Sequence, residues 1–174
     1  MLRLLVLRHA KATPHDDAHD RERPLVPKGR HNAERVGRAM RMRDLVPALV
    51  LCSPAARTFE TWQAVASELG GAPVLELRDE LYDAPAGAIL GCVQAVQKSV
   101  SPVLYIGHNP GLEQFARLMV RAPETAEERS RSKKLAKDFA TAALAVIDFR
   151  AVSWADVAPG EGILADYFAP ADLD

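Results

Sequence analysis

Cysteine is scarce in this chain. Only Cys52 and Cys92 occur among 174 residues, with neither metal-type nor redox-type spacing. A disulfide scaffold is therefore not expected, and buried reduced thiols are the default. Long apolar runs are missing too: no stretch approaches the roughly 20 residues of a membrane-spanning helix. Residues 1–7 are apolar but lead straight into Arg8 and His9 without a signal-peptide cleavage pattern, so the expected compartment is the cytoplasm. No basic tail or aromatic-studded basic stripe points to nucleic acid. There is no glycine-rich Walker loop and no dinucleotide fingerprint. His15, His19 and His31 lie in polar surroundings without metal-ligand spacing, so neither a metal nor a cofactor is expected.

What is present is ordinary for a globular protein: 48% hydrophobic residues, 26% charged residues and a net charge of −1. The length suits one domain, residues 1–174, with a substantial core. The small net charge hides an asymmetry. Residues 1–60 carry 12 basic and 7 acidic side chains, whereas residues 61–174 carry 10 and 16. A local basic excess of that size suits a small anionic group better than a polyanion.

Strand and helix signals alternate along the chain. Leu2–Leu7 is a short, nearly continuous apolar run, the pattern of a strand buried on both faces. A polar loop reaches Pro27. From Lys28 to about Leu45, Ala33, Val36, Gly37 and Met40 share a helical face. Ala48–Cys52 reads as a strand, and Ser53-Pro54 as the cap and first-turn proline of a helix through Leu69, its inner face Phe59, Trp62, Ala66 and Leu69. Pro73–Leu77 and Val103–Ile106 are further strands, separated by a helix over Ala86–Lys98. Asn109-Pro110 repeats the cap-plus-proline pattern before a helix carrying Leu112, Phe115, Ala116 and Met119. Glu124–Asp138 reads as a charged, solvated helix whose basic side chains could dock an acidic partner. Ala142–Phe149 and Glu161–Phe168 are late strands with a short connection, which suggests an antiparallel edge. The expected fold is a three-layer α/β/α sandwich on a mainly parallel sheet.

The chemically informative residues stand where strands stop. Arg8 and His9 close the first strand, Arg57 lies in the first helical turn after the second, and His108 ends the fourth. Ligands in open α/β sheets bind beyond the carboxyl ends of the strands, so these four side chains fall along one rim. Arginine offers a planar, permanently charged fork for phosphate. A neutral imidazole is a nucleophile near neutral pH. Singly, each residue reads as a loop or surface side chain; at matching strand ends they read as a phosphoryl-transfer site. Cys52 and Arg57 enclose four residues, one fewer than a tyrosine-phosphatase loop, and the glycines of such a loop are absent.

The segments Leu7-Arg8-His9-Ala10-Lys11-Ala12, Asp20-Arg21-Glu22-Arg23-Pro24-Leu25 with Gly29, Ser53-Pro54-Ala55-Ala56-Arg57-Thr58 and Gly107-His108-Asn109-Pro110-Gly111 occur in that order. Together they resemble the histidine phosphatase superfamily (phosphoglycerate mutase-like), in the form of its SixA-like protein-phosphohistidine phosphatases. Further similarity covers Thr141–Phe149 and the closing Phe168–Leu173. The resemblance implies a phosphohistidine intermediate on His9, phosphate held by Arg8, Arg57 and His108, and no metal. Phosphoglycerate-mutase-like relatives have Gly-Glu after the Arg-His pair, where this chain has Ala10-Lys11. That departure speaks against a mutase or sugar-phosphate activity.

Ester-cleaving relatives need a carboxylic acid to protonate the leaving oxygen. Glu80 stands at the corresponding place after the third strand, with Asp79, Asp83 and Asp20 as weaker substitutes. Arg23 either reaches the phosphate as a further binding residue or pairs with Asp20 to brace the loop. Lys11 adds positive potential, and Asn109 reads as a helix cap. Three functions are left open: dephosphorylation of phosphohistidine on a phosphorelay-type protein, hydrolysis of a small phosphomonoester, and catalytically silent binding of a phosphoprotein.

Overall fold

In a computed structural model describing residues 1–173, six strands form one sheet. They are β1 (Leu2–Arg8), β2 (Leu49–Cys52), β3 (Val74–Leu77), β4 (Val103–Gly107), β5 (Leu144–Phe149) and β6 (Ile163–Phe168), in the spatial order β3-β2-β4-β1-β5-β6. The helices are α1 (Pro27–Met42), α2 (Ala56–Leu69), α3 (Ala86–Gln94), α4 (Gly111–Met119) and α5 (Ala126–Lys137).

The apolar run that opens the chain becomes one of the two central strands and is covered on both faces. Leu4 and Val6 join one core with Ile89 and Val93 of α3 and Leu112, Phe115 and Met119 of α4. Leu5 and Leu7 join the other with Val36 and Met40 of α1 and Trp62 and Val65 of α2. Leu4, Leu5, Val6 and Leu7 are all fully buried, each contributing roughly 1.5–3 kcal/mol of apolar transfer. The resulting α/β/α sandwich is the architecture that the alternation of elements implies.

Strands β1 to β4 pair in parallel, so their carboxyl ends share one rim. Strand β5 runs against β1, and β6 against β5, which makes the antiparallel margin two strands wide. Its register is pinned by a bidentate pair: Arg3 donates from Nε and an Nη nitrogen to the buried Asp148 carboxylate directly opposite, at 2.7 and 2.8 Å.

Two helix starts differ from the sequence reading. Helix α2 begins at Ala56 and α4 at Gly111, and neither has a side-chain cap. Ser53 and Asn109, read as caps, spend their polar atoms elsewhere. The inner face of α2 is also rotated, with Arg57, Thr58, Thr61, Trp62, Ala64, Val65 and Leu69 buried while Phe59 and Ala66 are half-buried. Polar side chains turn inward there because they have partners. Thr58 Oγ1 donates to the Ser53 carbonyl at 2.7 Å, and Thr61 Oγ1 donates to the Arg57 carbonyl at 2.6 Å. The charged helix α5 is capped by Thr125, whose side chain accepts from the Glu128 amide, and is anchored by the buried Leu135. Among the described residues, no helix is long and apolar enough to cross a membrane.

Candidate active site

The register of β1, β2 and β4 brings the site together. Arg8 lies opposite Gly107, and Cys52 opposite Ile106. The pairing continues one residue past the strands: the His9 amide donates to the Gly107 carbonyl and the Ser53 amide to the Ile106 carbonyl, each at 3.1 Å. Close packing then fixes the segment after His9. The Ala10 amide donates to Thr61 Oγ1 at 2.9 Å, and the Val26 amide to the Lys11 carbonyl at 3.0 Å. Gly29 allows this approach of α1, because a Cβ there would stand 2.2 Å from the Lys11 oxygen.

Beyond these strand ends lies a cleft of about 460 Å³. Arg8, His9, Arg57 and His108 all line it, as do Arg23, Asp20 and Asp83. The two imidazoles stand with ring centroids 5.4 Å apart and planes inclined at 56°. His9 Nδ1 is 2.8 Å from the Ala10 carbonyl oxygen. A carbonyl oxygen only accepts, so Nδ1 carries the proton and Nε2 keeps the lone pair. Burial, with the charges of Arg57 and Arg8, lowers the His9 pKa to about 4, so the ring is neutral at physiological pH. His108 is lowered to about 3, again chiefly by burial and by Arg57. Its Nε2 lies 2.7 Å from Ser53 Oγ.

Arg8 donates from one Nη to the Phe139 carbonyl at 2.8 Å, and burial pulls its pKa down from the ordinary value. Arg57 is 4% exposed and its two Nη nitrogens reach the carbonyl and carboxylate of Asp20, at 2.6 and 3.1 Å. With the Ser53 hydroxyl donating to His108 Nε2, the neutral ring carries its proton on Nδ1, and a set of unsatisfied donors remains. Arg8 Nε, Arg57 Nε and His108 Nδ1 are buried without a hydrogen-bond partner among the described residues. Buried polar atoms are rarely left so, and the three residues that carry these line one cleft, an arrangement that suits an anion.

The remaining candidates divide. Arg23 lines the cleft, yet each of its nitrogens has a partner: Nε and one Nη donate to Asp20 and the other Nη to the Thr13 carbonyl. Of the two roles the sequence left open, the loop brace is the one the geometry supports. Glu80 is not brought to the cleft. On the turn Asp79–Leu81, its carboxylate accepts from Arg78 at 3.3 Å and from the Cys92 thiol at 3.9 Å. The carboxylates that do line the cleft are Asp20 and the exposed Asp83. Asn109 is no cap: its amide nitrogen reaches Glu113 Oε2 and the Phe139 carbonyl, at 3.0 and 3.3 Å.

Ser53, read only as a cap, and Tyr82 were not among the expected site residues. Tyr82 donates its hydroxyl to Asp20 and sets its ring edge-on to His108, 5.6 Å between centroids. For Ser53 a signal existed in its place between a strand end and Arg57; for Tyr82 there was none. Cys52, by contrast, is a buried thiol pushed up to about 12 by desolvation, as a side chain closing a buried strand should be. Among the described residues, no three His, Cys, Asp or Glu side chains are grouped to hold a metal ion.

Comparison with known proteins agrees with this geometry. Residues 4–146 match the model of the histidine phosphatase superfamily (branch 1), a span that includes Arg8, His9, Arg57 and His108. An uncharacterized protein of Mycobacterium tuberculosis (strain ATCC 25618 / H37Rv) is 30% identical over 164 residues, 94% of this chain and 99% of that protein. A Nakamurella multipartitia structure assigned as the phosphohistidine phosphatase SixA is similar at 31% identity and a TM-score of 0.81, covering 97% of this chain and 96% of that one. An Agrobacterium tumefaciens structure with the same assignment is 31% identical, with a TM-score of 0.79 and coverage of 97% and 98%. The chain belongs to the histidine phosphatase superfamily (branch 1).

Proposed function

We propose that this protein is a phosphatase that carries the phosphoryl group on His9 Nε2 and takes it from a phosphohistidine on a protein. The observation that carries the reading is one fixed lone pair, on His9, beside three unpartnered buried donors on Arg8, Arg57 and His108.

In the first step the Nε2 lone pair attacks phosphorus and the bond to the substrate's imidazole nitrogen breaks, its electron pair returning to a ring that already carries a proton on its other nitrogen and so leaves neutral. The arginine Nε groups and the His108 ring donate to the non-bridging oxygens, where charge concentrates in the transition state. Water then attacks the phosphorylated His9, giving inorganic phosphate and restoring the neutral ring. Because no donor has to be recruited from solvent, the site costs little reorganisation during the reaction.

The leaving group decides between substrates. An imidazole has a conjugate-acid pKa of roughly 6.5 and leaves with modest help. An alkoxide is far more basic and depends on a general acid. Here Glu80 faces away, and Asp20 is held as a carboxylate by two arginines and Tyr82. The SixA assignment of the neighbours at 31% identity supports the same substrate. One observation favours the small-phosphomonoester alternative: Asp83, exposed at the cleft mouth, could protonate an ester oxygen.

The test is turnover, side by side, of a phosphohistidine protein and a panel of phosphomonoesters, with acid-free quenching to trap phosphate on His9. Preferential release from phosphohistidine, lost in His9→Ala, is expected. Efficient ester hydrolysis with no phosphohistidine turnover would replace the reading by the alternative, and no turnover of anything would leave only the binding module.

A further inference from the structure

Four side chains from four segments meet on the carboxylate of Asp20. Its Oδ1 accepts Arg23 Nε and Nη at 3.1 and 3.0 Å and lies 3.3 Å from His15 Nδ1. Its Oδ2 accepts an Arg57 Nη at 3.1 Å and the Tyr82 hydroxyl. Its backbone carbonyl accepts the other Arg57 Nη at 2.6 Å. Tyr82 is held in turn by the Arg21 guanidinium over its ring, 4.7 Å from the centroid, and Arg21 pairs with Asp79 at 3.0 Å.

Such a network has two possible meanings. An aspartate that occupies the phosphate position would be a plug, taking the arginine's donors away from the substrate. An aspartate that grips only the far end of the fork would leave the substrate edge open. The partner list separates them. Both Arg57 Nη nitrogens are engaged end-on by Asp20, while Nε is buried and unpartnered. A guanidinium held at its two ends can still donate from Nε and the second Nη proton along its side, which is a bidentate geometry for a phosphoryl group.

We infer that Asp20 is a positioning residue, gripping Arg57 from behind so that its Nε edge is set toward the phosphoryl group, with Arg23 and Tyr82 fixing Asp20 in turn. The inference rests on the phosphoryl-transfer reading of this site. Asp20 touches no reacting atom. It acts by removing the rotamer freedom of Arg57, and the transition state depends more on that alignment than ground-state phosphate binding does. It also puts a negative charge near the phosphate, so its removal weakens alignment and relieves repulsion together.

The test is Asp20→Asn, which keeps the backbone contact and the side-chain shape. The expected result is a kcat for phosphohistidine lower by about 10- to 100-fold, with inorganic phosphate bound as tightly as by the unaltered protein or more tightly. Arg23→Gln should lower kcat likewise but without tighter phosphate binding, because it removes a cation, and kcat of the double variant should be no worse than that of Asp20→Asn alone. A readout independent of turnover is the Arg57 Nε–H NMR signal with phosphate bound: protected in the unaltered protein, lost or fast-exchanging in Asp20→Asn. That signal reports on the grip even if no phosphohistidine substrate is turned over, so failure of the substrate reading and failure of this inference are distinguishable. A rise in kcat together with tighter phosphate binding would make Asp20 a plug and overturn the inference. So would an unchanged Nε–H signal, or losses that add in the double variant.

Discussion

Lowering the pH should destabilise this protein well before its carboxylates protonate, because two buried histidines resist becoming charged. In the fold, His9 takes up its proton at about 4 and His108 at about 3. Both do so near 6.5 in the unfolded chain. Between those values the unfolded state binds more protons than the folded state, so stability rises with pH and is lost as pH falls below about 6.5. From pH 7 to pH 5 each ring should remove about 2 kcal/mol, a large share of a typical 5–15 kcal/mol. Asp20 does not confuse this window. Tyr82 and the arginines hold its carboxylate well below its usual range, so its contribution is intact at pH 5 and fades only at more acidic pH. Urea unfolding at the two pH values measures the loss. His9→Ala and His108→Gln should each shrink it by about half, while ring NMR titrations read the midpoints directly. Equal stability at pH 7 and pH 5, or both rings titrating near 6.5, would refute the argument that burial keeps these imidazoles neutral.

Arg57→Ala should lower kcat by about 10²–10³-fold, the effect of losing one preorganised donor, and Arg57→Lys should fall between, since it keeps the charge without the fork. Normal kinetics in a folded Arg57→Ala protein would take Arg57 out of the site. Exhaustive chelation should leave turnover intact, because the proposed phosphoryl contacts are the guanidiniums of Arg8 and Arg57 and the imidazoles of His9 and His108, which already supply positive charge and donors; activity lost on chelation and restored by a divalent ion would refute this. Glu80→Gln should change neither substrate class, whereas Asp83→Asn should slow ester hydrolysis more than phosphohistidine hydrolysis. The reverse pattern in paired assays would restore Glu80 as the acid.

The four central side chains were legible in the sequence because the rule that revealed them is topological. Parallel strands end on one rim, and the residues after the first, second and fourth strands had to meet there. The braces were not legible by the same rule. Ser53 reads as a cap, and only the fold shows its hydroxyl beside His108 instead. Thr58 and Thr61 break the hydrophobic stripe of α2, so a pattern of apolar spacing passes over them, although both are fully buried. That Glu80 stands outside the cleft lining was not legible, because a position along the chain says nothing of which way a short turn points its side chain. Tyr82 lies two residues further on and faces the cleft region that Glu80 does not.

The place of β1 in the sheet also sets when the site can exist. The strand that leads into His9 pairs only with chain numbered beyond 100: Leu4 with Val103 on one side, Leu2 with Phe149 on the other. Contacts of such long sequence separation form late and slowly. During synthesis, the first strand leaves the ribosome early and must wait, with two open edges and an almost wholly apolar sequence, until both partners have been made. A chain stopped short of β4 would therefore hold Arg8 and His9 on an unguarded strand, without His108 and prone to pairing with other chains. The four side chains at the strand ends can thus converge only once β4 has been made, which leaves the first strand waiting longest for a partner.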